Sequence, residues 1–452
     1  MQNLQFSSID LFAGAGGMTQ GFKGKGFKPL FANDHDKPAL ERFSHNHPEA
    51  LTSSDPIESV NPAEVRSKLK LAKGDLDVLI GGPPCQGFST YGKRDPQDDR
   101  NRLYKRFLEF IEEFRPKVFV MENVVGILSQ DRGSIIDDIV TITERLGYGV
   151  SVVTLDAVAF GVPQFRKRVF ILGGANQQKL YEPLPTHATV SSKKNKLAET
   201  NYQTSLFLDH AYCVLKPPIT VSEAIADLPR EVLPPSLTHK AIPYPTWHCL
   251  TIYQQELRCG ADVILHHSAK RMLGIRRLRL ALMHPGDYGT NIRSRLKEGG
   301  LPNELIDELL AGGSSFRDLR ECRREDRAKE EELHRILQQG YVDIEEVLQS
   351  LDSGGFANKY RRLEWNAPSH TLVAHMARDC SDFIHPEIDR FISVREAARL
   401  QSFPDSYYFH GSQFQQFRQI GNAVPPKLAQ AIASEVARFL GAHAQEVASI
   451  RN

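Results

Sequence analysis

The chain contains few cysteines and no long hydrophobic run. Its six cysteines, at positions 85, 213, 249, 259, 322 and 380, form no CxxC pair. This spacing argues against a zinc site and a disulfide framework, so we expect a reduced, intracellular protein without a metal. No apolar run approaches the ~20 residues that span a membrane. The start, MQNLQFSSIDLF, also lacks the basic and apolar regions of a secretory signal, so we expect a cytoplasmic protein.

The chain also has almost no excess of charge of either sign. Its formal net charge is +1, so a polyanionic partner must bind a local basic patch. Residues 317–335 hold seven basic and seven acidic residues, which is typical of a solvated helix face. Residues 270–297 hold eight basic residues and one acidic residue. They are the best local candidate for phosphate contacts, although a solvated arginine-rich helix packed on a sheet fits about equally well.

Short apolar segments alternate with helical patterns from residue 1 to about residue 175. Strands are predicted in FSSIDLFA, FKPLFAND, LDVLIGG, KVFVMEN, VSVVTL and RVFILGG. A helix is predicted in GSIIDDIVTITERLG, where Ile135, Ile139 and Leu146 follow the helical period and Gly147 suits the C-terminal cap. Such alternation predicts an α/β fold with a doubly wound, mainly parallel sheet.

After about residue 180 this alternation stops, and polar and proline-rich segments follow. Helical patterns return in SVREAARLQSFP and PPKLAQAIASEVARFLGAHAQ. We therefore predict a first domain over residues 1–180, a smaller inserted domain over 181–412 and a C-terminal segment, 413–452, that returns to the first domain.

A glycine-rich turn follows the first predicted strand in IDLFAGAGGMTQGF. Gly14, Gly16 and Gly17 let the backbone approach a ligand closely. Asp34, at the end of the next strand, can accept both hydroxyls of an adenosine ribose. The turn lacks the full GxGxxG spacing, which counts against a dinucleotide. These residues alone predict a nucleotide-like cofactor, and a tight turn without a ligand is the alternative.

Three further segments contain residues that could perform chemistry. Cys85 follows a strand in LDVLIGGPPC, where two prolines hold it at the rim of the sheet with the exposure that a thiolate nucleophile needs. A buried, inert thiol is the alternative. Glu122 ends the strand KVFVMENV at the same rim, where it can hold a proton, cap a helix or pair with an arginine. Arg166 and Arg168 share one face of a strand, where they either pair with acids or bind an anionic substrate.

In this order, the segments resemble the DNA (cytosine-5) methyltransferases. The motifs are DLFAGAGG, GGPPCQGFS, ENV, QFRKR, REAARLQSFPDSY and QIGNAVPP, and they cover nearly the whole chain except its middle. The resemblance implies a Rossmann-like catalytic and cofactor-binding domain with an inserted target recognition domain. It also implies transfer of a methyl group from S-adenosyl-L-methionine to carbon 5 of cytosine in a specific double-stranded DNA sequence, with S-adenosyl-L-homocysteine as product.

The resemblance assigns catalytic roles at the rim of the sheet. Cys85 adds to carbon 6 of a cytosine that is flipped out of the duplex, which loads electron density onto carbon 5. Glu122 contacts N3 and the exocyclic amine, and Arg166 and Arg168 hold the base and its phosphate. The sequence identifies no side chain that removes the carbon 5 proton, so we expect a water to do so.

Cofactor residues are also implied by the resemblance. Phe12 stacks near the adenine, the backbone of the glycine turn holds the methionine part, and Asp34 binds the ribose. The other cofactor residues are His35, Asp55, Pro84, Leu103, Asn422 and Ala423. Two departures from the family are His35, where some members carry a tryptophan, and Asp156, which replaces a frequent asparagine.

DNA contacts are expected beside the nucleophile and in the middle of the chain. The resemblance implies contacts from Gln86 and Ser89, and from Thr371 and Leu372 at the end of RRLEWNAPSHTL. REAARLQSFP is expected to dock the recognition domain onto the catalytic domain.

Alternative functions fit the residues less well. The separate RNA cytosine-5 methyltransferase family needs a second cysteine near the Glu122 strand, which this chain lacks, and CQGFS matches the DNA-modifying majority. An NAD-dependent oxidoreductase would leave Cys85 and the arginines without a role. The intact cysteine and glutamate also oppose a catalytically inactive DNA-binding module.

The biological context can be predicted only in outline. Because the first motif begins at residue 9, we expect no long N-terminal regulatory domain and therefore a bacterial or phage enzyme. We expect a monomer in the cytoplasm with the nucleoid. It either protects host DNA in a restriction-modification system, as the functional rather than physical partner of an endonuclease, or acts alone.

Overall fold

The computed structural model describes residues 6–84, 103–189, 215–246, 249–270, 272, 274–299, 333, 335 and 360–450. Within them lies a seven-stranded sheet with the order β3-β2-β1-β4-β5-β7-β6. The strands are β1 Phe6–Leu11, β2 Phe27–Asn33, β3 Leu51–Ser53, β4 Val78–Gly81, β5 Val118–Val124, β6 Gly149–Asp156 and β7 Lys167–Gly174. The first five strands are parallel, and β7 runs antiparallel to both β5 and β6. The predicted doubly wound, mainly parallel sheet is confirmed.

Helices connect the strands and continue beyond the sheet. Those of the first half are α1 Gly17–Lys23, α2 Lys37–Asn46, α3 Pro62–Leu69, α4 Leu103–Phe114 and α5 Ser134–Arg145. Those of the second half are α6 Val221–Ile225, α7 Ile252–Arg258, α8 Gly274–Ala281, α9 Ile292–Gly299, α10 Val394–Leu400, α11 Gln413–Asn422 and α12 Pro426–Ile450. The helices predicted in GSIIDDIVTITERLG, SVREAARLQSFP and PPKLAQAIASEVARFLGAHAQ correspond to α5, α10 and α12.

Both faces of the sheet are buried under helices. Alternate residues of a strand point to opposite faces, and Leu79 of β4 accordingly joins one apolar core while its neighbours Val78 and Ile80 join the other. The first core contains side chains of α3, α4 and α5, and the second contains those of α1 and α12. Burial on both faces explains why these strands are almost continuously apolar in sequence.

The C-terminal helix α12 packs closely against α1. A Cβ atom added to Gly17 would lie 2.4 Å from the carbonyl oxygen of Val424, and one added to Gly21 would lie 2.4 Å from the Cβ of Ala429. Only glycine fits such separations. The glycines that follow the first turn therefore allow the end of the chain to lie against the start of the sheet.

A further core is built from the middle of the chain and from α10 and α11. Arg399 of α10 donates to the Ala224 carbonyl at 3.0 Å and to Asp405 at 2.6 and 2.9 Å. One residue beyond α10, Gln401 donates to the Ala423 carbonyl at 2.6 Å. The α10 segment thus contacts both the middle of the chain and the segment that leads into α12.

Candidate active site

The ends of β4 and β5 meet at one edge of the sheet. The strands are parallel, with Gly81 opposite Met121, so the residues that follow β4 lie beside Glu122 and Asn123. Glu122 does not end its strand as predicted, because pairing with β7 extends β5 to Val124. The Asn123 side-chain amide donates to the Pro83 carbonyl at 3.0 Å. A Cβ atom added to Gly82 would lie 3.0 Å from Oε2 of Glu122. The backbone that leads to residue 85 therefore lies against the Glu122 carboxylate.

Three predicted site residues, Cys85, Gln86 and Ser89, lie outside the described residues. Asn123 was not among the predicted site residues, although it lies in the same ENV motif as Glu122. Its position next to Glu122 could have identified Asn123 as a site residue.

Glu122 pairs with Arg168 across the strand pair of β5 and β7. The two side chains are 14 % and 15 % exposed, and Nε of Arg168 lies 2.9 Å from Oε1 of Glu122. The contact is possible because β7 runs antiparallel to β5 and places Arg168 opposite Val124. One carboxylate oxygen is thus fixed by an arginine, while the other faces Gly82.

Arg166 lies deeper in the protein than Arg168. Its side chain is 1 % exposed, and the guanidinium donates to the carbonyls of Leu372 at 2.6 Å and Gly421 at 3.0 Å. Its Nε has no hydrogen-bond partner among the described residues. Burial, and secondarily the positive charge of Arg168, lowers the pKa of Arg166 well below its usual value. These contacts join two distant segments of the chain beneath the rim.

Thr371 and Leu372 pack against the residues just before β7. The Thr371 hydroxyl donates to the Phe165 carbonyl at 2.5 Å, and the Leu372 amide donates to Oε1 of Gln164 at 2.8 Å. Leu372 is fully buried, so its side chain does not reach the surface at which the sequence placed a DNA contact. Gln164 in turn donates to Gln401 at 2.5 Å. The sequence did not single out this buried glutamine pair.

The glycine turn lies at the end of β1, next to the end of β2. Phe12 has φ 60°, which is a strained value for a residue with a side chain, while Gly14 and Gly16 have φ 56° and 86°. A Cβ atom added to Gly14 would meet none of the described residues within 4 Å, whereas one added to Gly16 would lie 2.8 Å from the Tyr407 hydroxyl. Among these residues, the turn therefore borders empty space at Gly14, whereas at Gly16 it packs tightly against other side chains.

Asp34 is fixed beside this turn by two backbone groups. The amides of Gly14 and Asp36 each donate to one of its carboxylate oxygens, both at 2.8 Å. Burial raises the pKa of Asp34, while these two hydrogen bonds oppose that shift. Each oxygen retains a lone pair with which to accept a further hydrogen bond.

The remaining predicted cofactor residues occupy varied positions. His35 is 79 % exposed, and Asp55 accepts a hydrogen bond from the Ser53 hydroxyl at 2.9 Å. Pro84 follows β4, and Leu103 begins α4. Asn422 ends α11 as an exposed side chain. The Cβ of Ala423 would lie 3.0 Å from a Cβ added to Gly17, which places the α11 end directly against the glycine turn.

The sequence analysis did not identify Asp10, a buried carboxyl group on β1. It is 2 % exposed, and its Oδ2 accepts a hydrogen bond from the Thr19 hydroxyl at 2.5 Å. Burial raises the pKa of Asp10 to about 7. An acid within the apolar segment IDLF was the only available signal in the sequence.

The part of the chain that the structure describes contains no group of three or more His, Cys, Asp or Glu side chains that could hold a metal ion. Among those same residues, no helix is both long enough and apolar enough to cross a membrane.

Asp10 should make the stability of the protein depend on pH. Because its pKa is raised on folding, its contribution is fully present below about pH 4, falls as the unfolded chain ionises and is lost once the pH exceeds about 7. The free energy of unfolding of the wild type should therefore fall as the pH rises between these values. We expect Asp10→Asn to reduce this dependence by up to ~1.4 kcal/mol per pH unit. Urea unfolding of both proteins from pH 4.5 to 7.5 measures the difference. Parallel curves would show that Asp10 does not stay protonated in the folded state.

Comparison with known proteins identifies the family. Residues 6–261 and 289–438 match the family described as C-5 cytosine-specific DNA methylase. The chain is 56 % identical over 429 residues to Type II methyltransferase M.AgeI of Thalassovita gelatinovora, covering 95 % of this chain and 98 % of that relative. It is 32 % identical over 444 residues to Type II methyltransferase M.DdeI of Desulfomicrobium norvegicum, covering 95 % and 88 %.

A solved structure shows the same fold. It is described as a DNA modification methyltransferase encoded within a prophage of E. coli, and it matches with a TM-score of 0.67 at 22 % identity, covering 97 % of this chain and 100 % of that chain. The fold, the order of the motifs and the relatives agree, and the chain belongs to the C-5 cytosine-specific DNA methylases.

Proposed function

We propose that this chain is a DNA (cytosine-5)-methyltransferase that methylates carbon 5 of a cytosine held out of a DNA duplex. The observation that supports this most directly is the contact between the ends of β4 and β5. Glu122 lies beside Gly82, and Asn123 binds Pro83, two residues before the proposed nucleophile Cys85. The Glu122 carboxylate thus lies beside the segment that leads to the proposed nucleophile.

The chemistry requires these two groups together. Carbon 5 of cytosine is a poor nucleophile until the Cys85 thiolate adds to carbon 6 and breaks the conjugation of the ring. S-adenosyl-L-methionine, when bound, supplies an electrophilic methyl group. After methylation the carbon 5 proton leaves to a base, for which we propose a water, and the carbon 6–sulfur bond breaks to return the thiolate.

Glu122 would stabilise the ring while sulfur is attached. Arg168 holds Oε1 of Glu122 at 2.9 Å, which leaves Oε2 directed toward Gly82 and the approach to Cys85. That oxygen can accept hydrogen bonds from the exocyclic amine of the base and from N3 once N3 carries a proton. Arg168 then acts as a positioning residue through Glu122, and its remaining donors can face the substrate.

Arg166 has a different proposed role from the one that the resemblance implied. Its guanidinium is buried and donates to the carbonyls of Leu372 and Gly421, so we propose that it positions these segments instead of holding the base and its phosphate. The same holds for Leu372, which is buried, and for Thr371, whose hydroxyl binds Phe165.

The residues around the glycine turn fit S-adenosyl-L-methionine. The turn is open at Gly14, and Asp34 offers two fixed oxygens for the ribose hydroxyls. We propose that Phe12 and Asp55 hold the adenine and that Asn422 and Ala423 close the pocket. His35, Pro84 and Leu103 would line its remaining wall, and S-adenosyl-L-homocysteine would be the product released.

The middle of the chain, residues 181–412, would form the target recognition domain that holds double-stranded DNA. Flipping a base costs a few kcal/mol, which contacts to the surrounding duplex must offset. The basic segment 270–297 is the proposed phosphate surface, although Nε of Arg295 within it already binds Asp287 at 2.9 Å. Similarity to M.AgeI supports protection of host DNA from a cognate restriction endonuclease. We propose a monomer that acts on nucleoid DNA in the cytoplasm.

Expression of the chain in a host without cytosine-5 methylation tests the function. We expect single-base sequencing of methylated cytosines to show 5-methylcytosine in one sequence context. The Cys85→Ala variant should give none, because no adduct can then activate carbon 5. Methylation by that variant, or none by the wild type, would contradict the proposal.

Asn123→Ala should slow methyl transfer without weakening cofactor binding. Losing the buried hydrogen bond to Pro83 frees the segment before Cys85 and costs about 1–3 kcal/mol. If that cost falls on the transition state, the single-turnover rate falls by about fivefold to about 160-fold.

Asn61→Ala is the matched control. Asn61 caps α3 by accepting from the Ala63 amide at 2.9 Å, so its loss should affect stability alone. Equal rates for Asn123→Ala and the wild type would show that this hydrogen bond does not position the nucleophile.

A further inference from the structure

Arg418 on α11 forms an ion pair with Asp36, which follows β2. The two residues are 382 positions apart in the sequence. Arg418 is 41 % exposed and Asp36 24 %. The pair therefore connects the last quarter of the chain to the loop that carries Asp34, the proposed ribose-binding acid.

Asp36 is connected directly to Asp34. Its backbone amide donates to Oδ1 of Asp34 at 2.8 Å, and its own Oδ1 accepts from the Ala39 amide at 3.2 Å as the N-terminal cap of α2. Its other oxygen, Oδ2, binds Arg418. A movement of Asp36 would therefore displace the backbone amide that donates to the Asp34 carboxylate.

Arg418 also lies on the same helix face as Asn422. Residues four apart on a helix are neighbours on its surface. Asn422, at the end of α11, is exposed and proposed to close the cofactor pocket, and the next residue, Ala423, contacts Gly17 of the glycine turn. The position of α11 thus sets the distance between Asn422 and the turn.

We propose that Arg418 is a positioning residue for S-adenosyl-L-methionine, an inference that rests on the proposed function. Its ion pair with Asp36 holds two walls of the pocket at a fixed separation, the loop that carries Asp34 and the helix end that carries Asn422. Arg418 itself does not need to contact the cofactor. Its charge affects the binding of the cofactor indirectly, because the ion pair sets the positions of Asp34 and Asn422.

Isothermal titration of S-adenosyl-L-methionine into full-length variants tests this role. Arg418→Gln removes the cation, and Asp36→Asn removes the anion while keeping a good helix cap. Each should raise the Kd about twofold to fivefold, as expected for a partly exposed ion pair. The double variant should bind no more weakly than either single variant, because both changes remove the same interaction.

Further variants separate positioning from a general loss of structure. Arg438→Gln breaks an ion pair with Glu435 on α12, at 2.6 Å, and should leave the Kd unchanged. Arg418→Lys should restore most of the affinity. In Arg418→Gln and Asp36→Asn the single-turnover rate at saturating S-adenosyl-L-methionine should match the wild type, so that KM for the cofactor rises while the chemical step is unaffected.

Two results would overturn the inference. One is an unchanged Kd in both single variants, and the other is a double variant whose loss of affinity equals the product of the single losses. A wild-type protein that binds no S-adenosyl-L-methionine would contradict the proposed function itself, and this inference with it.

Discussion

The site depends on the hydrogen bond between the Asn123 side chain and the Pro83 carbonyl. β4 ends at Gly81, opposite Met121 of the parallel strand β5, so the residues after β4 lie beside Glu122 and Asn123. Prolines 83 and 84 cannot donate backbone hydrogen bonds, so the chain must leave the sheet there. Asn123 fixes the course of the departing chain, and Glu122 on the same strand supplies the acid beside it.

The glycine turn and Asp34, at the ends of β1 and β2, lie at the same edge of the sheet, and the end of the chain packs against this turn. The glycines of α1 allow α12 to approach closely, which places Ala423 against the turn. Beneath the rim, Arg166 is buried, and its guanidinium donates to backbone carbonyls. Burying that charge is costly unless its hydrogen bonds are made, so the arginine holds its two partner segments firmly. The start of β7, the segment around Leu372 and α11 are thereby held together.

Much of the sheet and part of the site could be predicted from the sequence. Six strands were apparent because each is largely apolar, including the edge strand β6 with its exposed Val152, but β3 is a short LTS segment without such a signal. Asp34 was found because it follows a strand directly, and Glu122 because it lies near the end of one. The burial of Arg166 could not be predicted. The alternation of side chains along a strand shows that two residues share a face, but it does not show which other segments cover that face. The Arg418–Asp36 pair depends on folding that joins residues 382 apart.

The proposed mechanism requires that the Cys85 thiol bond transiently to carbon 6 of cytosine. Intact-mass and peptide mass spectrometry of the protein incubated with S-adenosyl-L-methionine and a target duplex containing 5-fluorocytosine test it most directly. Fluorine at carbon 5 cannot leave as a proton does, so the intermediate should accumulate. We expect a denaturant-resistant adduct on the peptide that contains Cys85. Product formation on unmodified duplex with no adduct at that peptide would contradict it.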